Sequence, residues 1–413
     1  MTRRIVITGL GVISPVGKSP EEFFSNLMQG HSGIKQLQFD FLEKLSIHIG
    51  APVENFNPAE YFNKIQLTGI ERFSQFALVA AEQAVQDAQL AISEAEQPRA
   101  GICMGSCQGG TSTLEDGYRE LFQSPNPRIK PLTVLLSMNN AAASHISIKY
   151  HLQGPNITYA TACSSSAIAI GEACRQIKHG YADVMLAGGS EAMLTLGAMK
   201  AWEALRTLAQ KDPNDASASC KPFAKNRSGL VLGEGAAVLV LEDVGRAIKR
   251  SAKIYAELVG YDCSSDSSHI TKPDAAGQAH TILNALRDAH LQPQDIHYIN
   301  AHGTATVAGD IEETKAIKQV FGKHAANIPI SSTKSMHGHL MGATGAVEFI
   351  AALLALQHKA VPPTINLHDP DAECDLDYVP NQGRTDVKLD AVMSNSFAFG
   401  GSNAVLIAKR FVF

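Results

Sequence analysis

Strand-like and helix-like segments alternate along this chain in two successive series. The first series runs from an apolar strand at residues 3–10 to another at 233–241, and the second begins near Lys253 and ends with strands at 392–395 and 403–408. Short apolar runs bounded by glycine or proline are typical of buried strands, and longer runs with apolar residues at helical spacing are typical of helices. This alternation predicts an α/β fold with buried sheets.

The predicted elements follow a broadly similar order in the two series, although no repeated sequence is visible. At 413 residues the chain also exceeds one average domain. We therefore predict a duplicated topology with a join near residue 250, which gives an N-terminal half of residues 1–250 and a C-terminal half of residues 251–413. Residues 192–232, which contain Pro213 and Pro222, are predicted to be an irregular surface excursion.

Charge and cysteine content narrow the class of protein. A formal net charge of −5 gives no reason to expect a nucleic acid or an anionic membrane as partner. No apolar stretch is long enough to span a bilayer, and the apolar run near the N-terminus is short and interrupted by glycine, as in a first strand and turn. The seven cysteines are scattered and form no CxxC pair. These features predict a soluble cytoplasmic protein in a reducing compartment.

Cys163 lies where a predicted strand meets a predicted helix, in the segment ITYATACSSSAIAIGEACRQIKH. The N-terminus of a helix favours negative charge, so this position favours the thiolate of Cys163. Free backbone N–H groups at the same place can stabilise a developing oxyanion. A free cysteine is more commonly a buried packing residue, so the interpretation of Cys163 as a nucleophile depends on partner residues elsewhere in the chain.

Candidate partners follow strands of the second series. His302 lies in NAHGTAT, Lys334 and His339 lie in SSTKSMHGHLMGATGAVE, and Phe399 lies in the glycine-rich turn of NSFAFGGSN. Each of these residues alone is more often structural. Because loops that follow the strands of an open α/β sheet meet at one edge, a cysteine, two histidines and a lysine in such loops predict an active site. A Cys/His/His set can also bind zinc, which we do not expect here.

These four motifs, in this order and spacing, resemble those of β-ketoacyl-acyl carrier protein synthases of the elongating, type II kind. Looser matches in ITGLGVISPVG, VPPTINL and CDLDYVP extend the resemblance over essentially the whole chain. The resemblance implies the thiolase fold, a five-layered α/β/α/β/α arrangement of two similar halves that is usually a homodimer. It also implies an acyltransferase that joins an acyl thioester to malonyl-acyl carrier protein with loss of CO2.

The resemblance implies a role for each motif. Cys163 would carry the acyl chain as a thioester, and the backbone N–H groups of Cys163 and Phe399 would form the oxyanion hole. His302 and His339 would stabilise the enolate left by decarboxylation, with Lys334 as an electrostatic and positioning residue. No cofactor and no catalytic metal are implied, because phosphopantetheine arrives on the carrier; a monovalent cation near Asn300 is left open. The supporting and substrate-binding residues implied are Glu348, Asn395, Thr304, Thr306, Cys107, Gln108, Gly400 and Ser402.

The chain departs from the usual family pattern around the acyl-binding region. Cys107 and Gln108 stand where elongating synthases commonly have a small apolar residue, and PLTVLLS at 131–137 replaces a segment rich in Pro and Phe. Ala398 replaces a glycine of the gating turn, which predicts a stiffer loop. A polar glutamine at the mouth of an acyl pocket disfavours purely saturated chains. Specialised polyene or polyketide-type elongation therefore fits as well as fatty acid synthesis.

The same resemblance implies which proteins this chain binds. Carrier proteins are acidic, so a basic entrance patch is expected, with Lys64, Arg128, Lys130 and Arg206 as candidates. The alternative to a homodimer is a heterodimer with a non-catalytic chain-length partner. A thiolase is less favoured, because Cys374 lies in CDLDYVP and not in a glycine-flanked turn. An initiating synthase would have asparagine as its second partner, where this chain has a histidine.

Overall fold

The computed structural model describes residues 3–412, and within them the strands form one large sheet and one two-stranded ribbon. Most strands of the large sheet are buried along their whole length, as expected where helices cover both faces. The strands are β1 (Ile5–Ile13), β2 (Lys35–Gln36), β3 (Ile49–Gly50), β4 (Ala100–Gly105), β5 (Asn156–Tyr159), β6 (Val184–Ala192), β7 (Glu234–Asp243), β8 (Ala256–Ser265), β9 (Tyr298–Asn300), β10 (Ile330–Ser331), β11 (Ala391–Phe397) and β12 (Ser402–Lys409).

Local sequence signals set several helix starts. Ser19 caps the first helix through its hydroxyl, and Pro20 occupies the first turn. Glu71 caps the third helix through its carboxylate. The helices are α1 (Pro20–Met28), α2 (Lys64–Gly69), α3 (Arg72–Asp87), α4 (Thr111–Gln123), α5 (Thr133–Ser137), α6 (Ala141–Tyr150), α7 (Ser165–Lys178), α8 (Leu196–Ala204), α9 (Val244–Lys249), α10 (Ala275–Asp288), α11 (Val307–Phe321), α12 (Lys334–His337) and α13 (Thr344–His358).

The large sheet contains the same strand order twice. Its ten strands run β10-β9-β11-β12-β8-β1-β7-β6-β4-β5. From the centre outward, the first half is β1-β7-β6-β4-β5 and the second is β8-β12-β11-β9-β10, so corresponding strands occupy corresponding places. The antiparallel and parallel pairs also correspond: β1/β7 and β8/β12 are antiparallel, whereas β4/β5 and β9/β10 are parallel. This arrangement confirms the predicted duplication of topology.

Helices on both faces of the two half-sheets produce the five layers. Helices α3 and α6 pack on the outer face of the first half, and α10 and α11 on that of the second. Between the half-sheets, α7 and α13 pack against each other and against strands of both halves. The fit of α3 on β1 requires glycine, because a Cβ at Gly11 would lie 1.9 Å from the carbonyl oxygen of Ala80. The α/β/α/β/α arrangement predicted from the sequence is therefore confirmed.

The two halves meet at β1 and β8, which pair over a short antiparallel stretch centred on Val6 and Glu257. Strand β7 ends at Asp243, the short helix α9 follows, and β8 begins at Ala256. We propose residue 250, at the end of α9, as the join of the two halves.

The prediction for residues 192–232 was wrong. This region contains helix α8, and its segments bury Met193, Leu208, Cys220 and Leu230 in a cluster that also includes Cys163. The prolines and glycines suggested exposure, but long-range contacts bury the segment, which no local pattern reveals. Helix α4 was also not predicted, because it has no fully buried residue and hence no apolar stripe that faces a core.

One stretch of the described residues, Met341–His358, is long and apolar enough by composition to cross a membrane. Within the protein 89% of it is buried. It comprises α13 and the turn before it, and it forms part of the central layer.

Candidate active site

Four post-strand segments converge on one cavity between the two halves. Cys163 follows β5, His302 follows β9, His339 follows β10 and α12, and Phe399 follows β11. The sulfur of Cys163 and one ring nitrogen of each histidine lie within 4.8 Å of one another. The cavity beside them has a volume of about 240 Å³, and Thr304 and Thr306 also line it. The structure thus brings together the residues whose sequence positions predicted a site.

A sharp turn presents Cys163 to this cavity. The preceding residue, Ala162, has a φ of +50°, a conformation that non-glycine residues adopt only when the surroundings impose it. The side chain of Ser165 holds the turn through the carbonyl of Ala162 at 2.6 Å and the N–H of Thr161 at 2.9 Å. Cys163 therefore stands at the N-terminus of α7 with its thiol directed at the histidines.

The sequence prediction that Cys163 favours the thiolate is wrong for the protein at rest. Burial raises the pKa of this thiol to about 11, although Lys334 and the N–H groups of Phe399 and Cys163 partly lower it. The helix N-terminus was visible in the sequence, whereas complete enclosure of the sulfur was not. Cys163 is therefore a protonated thiol at neutral pH.

This protonation state predicts the pH dependence of Cys163 alkylation. The iodoacetamide reaction rate should rise about tenfold per pH unit from pH 7 to 9, because only the small thiolate fraction reacts and it grows by that factor below the pKa. Mass spectrometry of the Cys163 peptide measures the rate, and the half-buried Cys263 provides an internal comparison. A plateau near pH 7 would instead mean that the helix N-terminus outweighs burial.

Hydrogen bonds define which ring nitrogen of each histidine carries the proton. The Nδ1 atom of His302 lies 3.4 Å from the Lys334 ammonium, and the Nδ1 atom of His339 accepts the N–H of Met341 at 3.1 Å. An ammonium and an amide can only donate, so both Nδ1 atoms are acceptors in neutral rings. Both Nε2 atoms consequently carry a proton. Nε2 of His339 is buried and has no partner among the described residues, so it is a free donor at the cavity.

The electrostatic surroundings keep both rings neutral. Burial lowers the pKa of His302 and that of His339 well below the usual range, and the Lys334 charge lowers both further. Two neutral N–H donors side by side can stabilise an oxyanion without holding a permanent charge of their own.

Lys334 and Glu348 form a fully enclosed ion pair behind His302. Their Nζ and Oε1 atoms are 2.6 Å apart, and their side chains are 1% and 0% exposed. Lys334 also donates to the carbonyl oxygen of His302. Burial raises the pKa of Glu348, and the adjacent Lys334 charge counteracts part of this rise. The pair therefore fixes both the position of His302 and the local charge.

Three buried oxygens near this pair have no hydrogen-bond partner among the described residues. They are Oδ1 of Asn300, Oε2 of Glu348 and Oδ1 of Asn395. Oxygen donors suit hard cations, and the set fits the monovalent cation that the sequence resemblance left open. Asn395 also donates to Glu313 at 3.1 Å, and Glu313 in turn accepts the N–H groups of His302 and Gly303.

The turn after β11 brings the N–H of Phe399 to the sulfur of Cys163. Gly400 and Gly401 have φ angles of +84° and +71°, which glycine permits. Gly400 donates to the carbonyl oxygen of Ile270 at 2.7 Å. Ala398 has an extended backbone (φ −98°, ψ 157°) that any residue adopts, so its methyl group fits the observed turn.

The remaining predicted site residues fall into two groups. Thr304 and Thr306 share a hydrogen bond of 2.9 Å at the cavity wall, and the hydroxyl of Ser402 accepts from Ser164 at 3.3 Å. Cys107 and Gln108 do not line this cavity. Instead their N–H groups donate to Glu191 at 2.6 and 3.3 Å, and the Gln108 side chain is exposed.

Several residues of the site were missed at the sequence level, including Glu313, which accepts the His302 and Gly303 N–H groups. Glu191 is fully buried at the end of β6 and also accepts the N–H of Gly342, so it connects the Cys107 turn to the loop after His339. Burial raises the pKa of Glu191 to about 7. A lone acid in an otherwise apolar strand was the available signal. Trp202 lines the cavity from α8, within the region wrongly predicted to be a surface excursion.

The four predicted carrier-binding residues are all exposed but are not gathered at the cavity. Arg206 lies between the cavity-lining residues Leu205 and Thr207. Lys64 begins α2, and Arg128 and Lys130 lie in the loop between α4 and α5. Lys272, which was not predicted, lines the cavity entrance itself.

The fold and the cavity at the junction of its two halves define a thiolase-fold acyltransferase. Comparisons with known proteins agree: residues 2–247 match the Beta-ketoacyl synthase, N-terminal domain, and residues 255–368 match the Beta-ketoacyl synthase, C-terminal domain. The chain belongs to the β-ketoacyl synthase family. Cys374 is buried in the outer layer of the second half, apart from Cys163, which agrees with this family and not with a thiolase.

Individual relatives cover the full chain. It is 43% identical over 410 residues to the 3-oxoacyl-[acyl-carrier-protein] synthase 2 of Coxiella burnetii, with 99% of each protein covered. Among solved structures it is similar to the ketosynthase of a type II polyketide system in complex with its acyl carrier protein (TM-score 0.91, 34% identity, all of both chains). It is also similar to the ishigamide ketosynthase/chain length factor (TM-score 0.92, 34% identity, all of both chains).

Proposed function

We propose that this protein elongates acyl chains by decarboxylative Claisen condensation of an acyl thioester with malonyl-acyl carrier protein, giving a β-ketoacyl-acyl carrier protein. The observation that carries the proposal is the cluster of the Cys163 thiol with two neutral Nε2–H donors in one enclosed cavity. A thiol can accept and release an acyl group, and paired N–H donors can stabilise an enolate.

In the first half-reaction the acyl group moves to Cys163. The sulfur bonds to the acyl carbonyl carbon, the bond from that carbon to the carrier's phosphopantetheine sulfur breaks, and the thiol proton goes to the departing sulfur. The N–H groups of Cys163 and Phe399 stabilise the tetrahedral oxyanion. Because the thiol is protonated at rest, attack and proton loss occur together.

In the second half-reaction malonyl-carrier loses CO2. The electron pair of the broken C–C bond moves onto the thioester, whose oxygen accepts hydrogen bonds from Nε2 of His302 and of His339. The resulting carbanion attacks the acyl carbonyl, the bond to Cys163 breaks, and one proton restores the thiol. Lys334 holds His302 in place and keeps both rings neutral, with Glu348 as its counter-ion.

The phosphopantetheine arm reaches the site as part of the carrier, so we propose no resident cofactor. Thr304 and Thr306 line the cavity beside the histidines and offer hydroxyl groups to the amides of the arm. The unpaired oxygens of Asn300, Glu348 and Asn395 would hold a monovalent cation that supports the Lys334 region without taking part in a bond change.

Intact-mass analysis with acyl-carrier proteins tests this function. We expect the wild type to gain the mass of the acyl group and Cys163→Ala to gain none, because Cys163 is the one cysteine among the described residues that lines the cavity. Addition of malonyl-carrier should then remove the adduct and release CO2. Acyl transfer to Cys163→Ala, or an adduct that malonyl-carrier never removes, would contradict the proposal.

The same experiment with different acyl groups distinguishes fatty acid from polyene or polyketide-type elongation. The Coxiella relative is named a 3-oxoacyl-[acyl-carrier-protein] synthase 2, whereas the two structural relatives are polyketide and ishigamide ketosynthases. We propose saturated chains as substrates, because the exposed Gln108 adds no polar group to the cavity. Faster loading of polyenoyl groups would favour the specialised pathway predicted from the sequence.

We propose that the protein works as a homodimer through the surface formed by α4, α5 and the edge strand β5. Strand β5 ends the large sheet and leaves one edge unpaired. Beside it, α4 and α5 expose Tyr118, Phe122 and Val134 at 53%, 80% and 67%. An apolar patch next to an open strand is typical of a subunit interface. The alternative partner is a non-catalytic chain-length subunit, and the mass of the purified chain in solution distinguishes the two.

We propose that the acidic carrier docks at Lys272, which lines the cavity, and at Arg206, which adjoins the cavity-lining Leu205 and Thr207. Arg206→Glu combined with Lys272→Glu should lower kcat/KM for acyl-carrier about 10- to 100-fold, because like charges replace steering attraction. Alkylation of Cys163 should be unaffected. Lys323→Glu, on an exposed loop of the second half, provides the matched control. An unchanged kcat/KM in the double variant would show that neither residue takes part in carrier binding.

We propose a cytoplasmic location for this enzyme. All seven cysteines are free, and five of them are buried, an arrangement that a reducing compartment preserves.

A further inference from the structure

The side chain of Trp202 lies directly against Phe399. The two rings stack with centroids 5.9 Å apart and planes 18° from parallel. Phe399 is also the residue whose N–H points at the sulfur of Cys163. Gly400 and Gly401 follow it with positive φ angles, so the backbone of this turn has conformations open to it that other residues would forbid. A displacement of the turn that carries Phe399 would move both its ring and this oxyanion donor, and Trp202 is the aromatic neighbour that packs against the ring.

The helix that carries Trp202 is anchored by an acid from another helix. Thr195 occupies the N-cap position of α8 but its side chain makes no capping bond. Instead Oε1 of Glu115, on α4, accepts the N–H groups of Gly197 and Ala198 at 2.6 and 3.1 Å and the hydroxyl proton of Thr195. These are the N–H groups that an N-cap side chain normally binds, and a carboxylate there also interacts favourably with the helix dipole.

The contact between Glu115 and α8 is tight. A Cβ added at Gly197 would lie 2.7 Å from Oε1 of Glu115, so a larger residue there would make the carboxylate shift. On the same helix α4, Tyr118 and Phe122 are exposed at 53% and 80%, on the proposed subunit interface. One helix thus carries both a surface for a partner and the anchor of α8.

We propose that Glu115 and Trp202 are positioning residues that connect helix α4 to the oxyanion hole, so that a subunit bound on α4 stabilises Phe399 over Cys163. The connection runs from the Glu115 carboxylate to the N-terminus of α8, along α8 to Trp202, and through the stacked rings to Phe399. This inference rests on the proposed function for its catalytic consequence. Its structural part, control of access to Cys163, can be measured without any carrier protein.

Alkylation of Cys163 by iodoacetamide tests the connection. Trp202→Ala and Glu115→Ala should each increase the alkylation rate between about 2-fold and about 12-fold. This is the increase in the population of the open turn that is expected when one aromatic pair no longer stabilises the closed turn. Trp202→Phe should restore a rate near that of the wild type, because it keeps a ring against Phe399. Glu120→Ala, on the exposed face of α4, provides the matched control and should leave the rate unchanged.

Coupling between the two residues is tested by combining them. If Glu115 acts through Trp202, the double variant Glu115→Ala/Trp202→Ala should alkylate no faster than Trp202→Ala alone. Fully additive effects would overturn the proposed connection. Glu115→Gln, which keeps an oxygen acceptor without charge, replaces Glu115→Ala if that variant fails to fold, and an intermediate rate is then expected.

Trp202 is the only tryptophan, so its fluorescence reports on the same contact. Its emission should shift when Cys163 is alkylated in the wild type, and Glu115→Ala should show a shifted emission before alkylation. Unchanged emission in both cases would contradict the proposal, even if carrier-dependent turnover is normal.

In carrier-dependent assays Trp202→Ala should lower kcat with little change in KM, because the oxyanion donor is displaced while the entrance residues remain. If no variant and no wild type turned over with carrier proteins, while the alkylation rates differed as expected, the proposed function would be wrong and the connection from Glu115 to Phe399 would stand.

Discussion

Replacing His339 with alanine is expected to lower the condensation rate about 100- to 1000-fold, the range seen when one oxyanion donor is removed. Nε2 of His339 is a buried, unpaired donor, and no neighbouring group in the described residues replaces it. Acylation of Cys163 should continue, because that step uses the N–H groups of Cys163 and Phe399. Intact-mass analysis measures acylation, and the release of CO2 and of β-ketoacyl-carrier measures condensation.

The matched control is His324→Ala, on a loop in the second half that does not line the cavity. It should show normal rates in both steps. Condensation at the wild-type rate in His339→Ala would mean that the enolate is stabilised elsewhere. Loss of both steps together with an altered circular dichroism spectrum would show a folding defect, and His339→Gln would then be the variant to measure.

Breaking the Lys334–Glu348 pair is expected to have the largest effect on stability. Lys334→Met leaves the Glu348 carboxylate enclosed without its counter-ion, which should lower the free energy of unfolding by about 3–5 kcal/mol. The double variant Lys334→Met/Glu348→Gln removes both charges and should recover most of this loss. Urea denaturation measures both. The double variant should still condense slowly, because the Lys334 bond to the His302 carbonyl oxygen is lost, although burial continues to keep the two rings neutral.

The effect of Lys334→Met should depend on pH in a defined direction. Burial already raises the pKa of Glu348, and removal of the adjacent positive charge raises it further. A carboxyl group whose pKa is higher in the folded than in the unfolded protein binds its proton more tightly in the folded protein. Its contribution to stability is therefore complete below the unfolded-state pKa and is lost as the pH rises from there to the folded-state pKa. The variant should therefore be closer to wild type at pH 5.5 than at pH 8. A stability loss that is equal at both pH values would show that Glu348 is not ionised in the wild type.

Much of the fold and of the candidate site follows from local patterns. Apolar runs marked the strands, and their repeated order predicted the two halves. Cys163 and His302 were predicted because each lies shortly after a strand, and His339 because it lies in the segment after the next strand, where the topology gathers side chains at one edge. The prediction needed no knowledge of distances, because the strand order determines which loops meet.

The properties that depend on distant contacts could not be predicted in the same way. The pKa of Cys163 is set by residues from both halves that enclose it, so the helix N-terminus alone gave the wrong direction. Trp202 lies in a segment that was predicted to be exposed, and it packs partly buried against a cluster that long-range contacts assemble. Lys272 lines the cavity and Arg206 adjoins residues that line it, although 66 positions separate them in the sequence.

The central layer has a consequence for how the protein comes apart. Helices α7 and α13 come from different halves, yet they pack against each other and belong to one apolar cluster that reaches strands of both half-sheets. If one half unfolded alone, the apolar side chains that the other half contributes to this layer would be exposed to water. Although the two halves share a topology, they are not expected to unfold independently. They should melt together in a single calorimetric transition, as one folding unit.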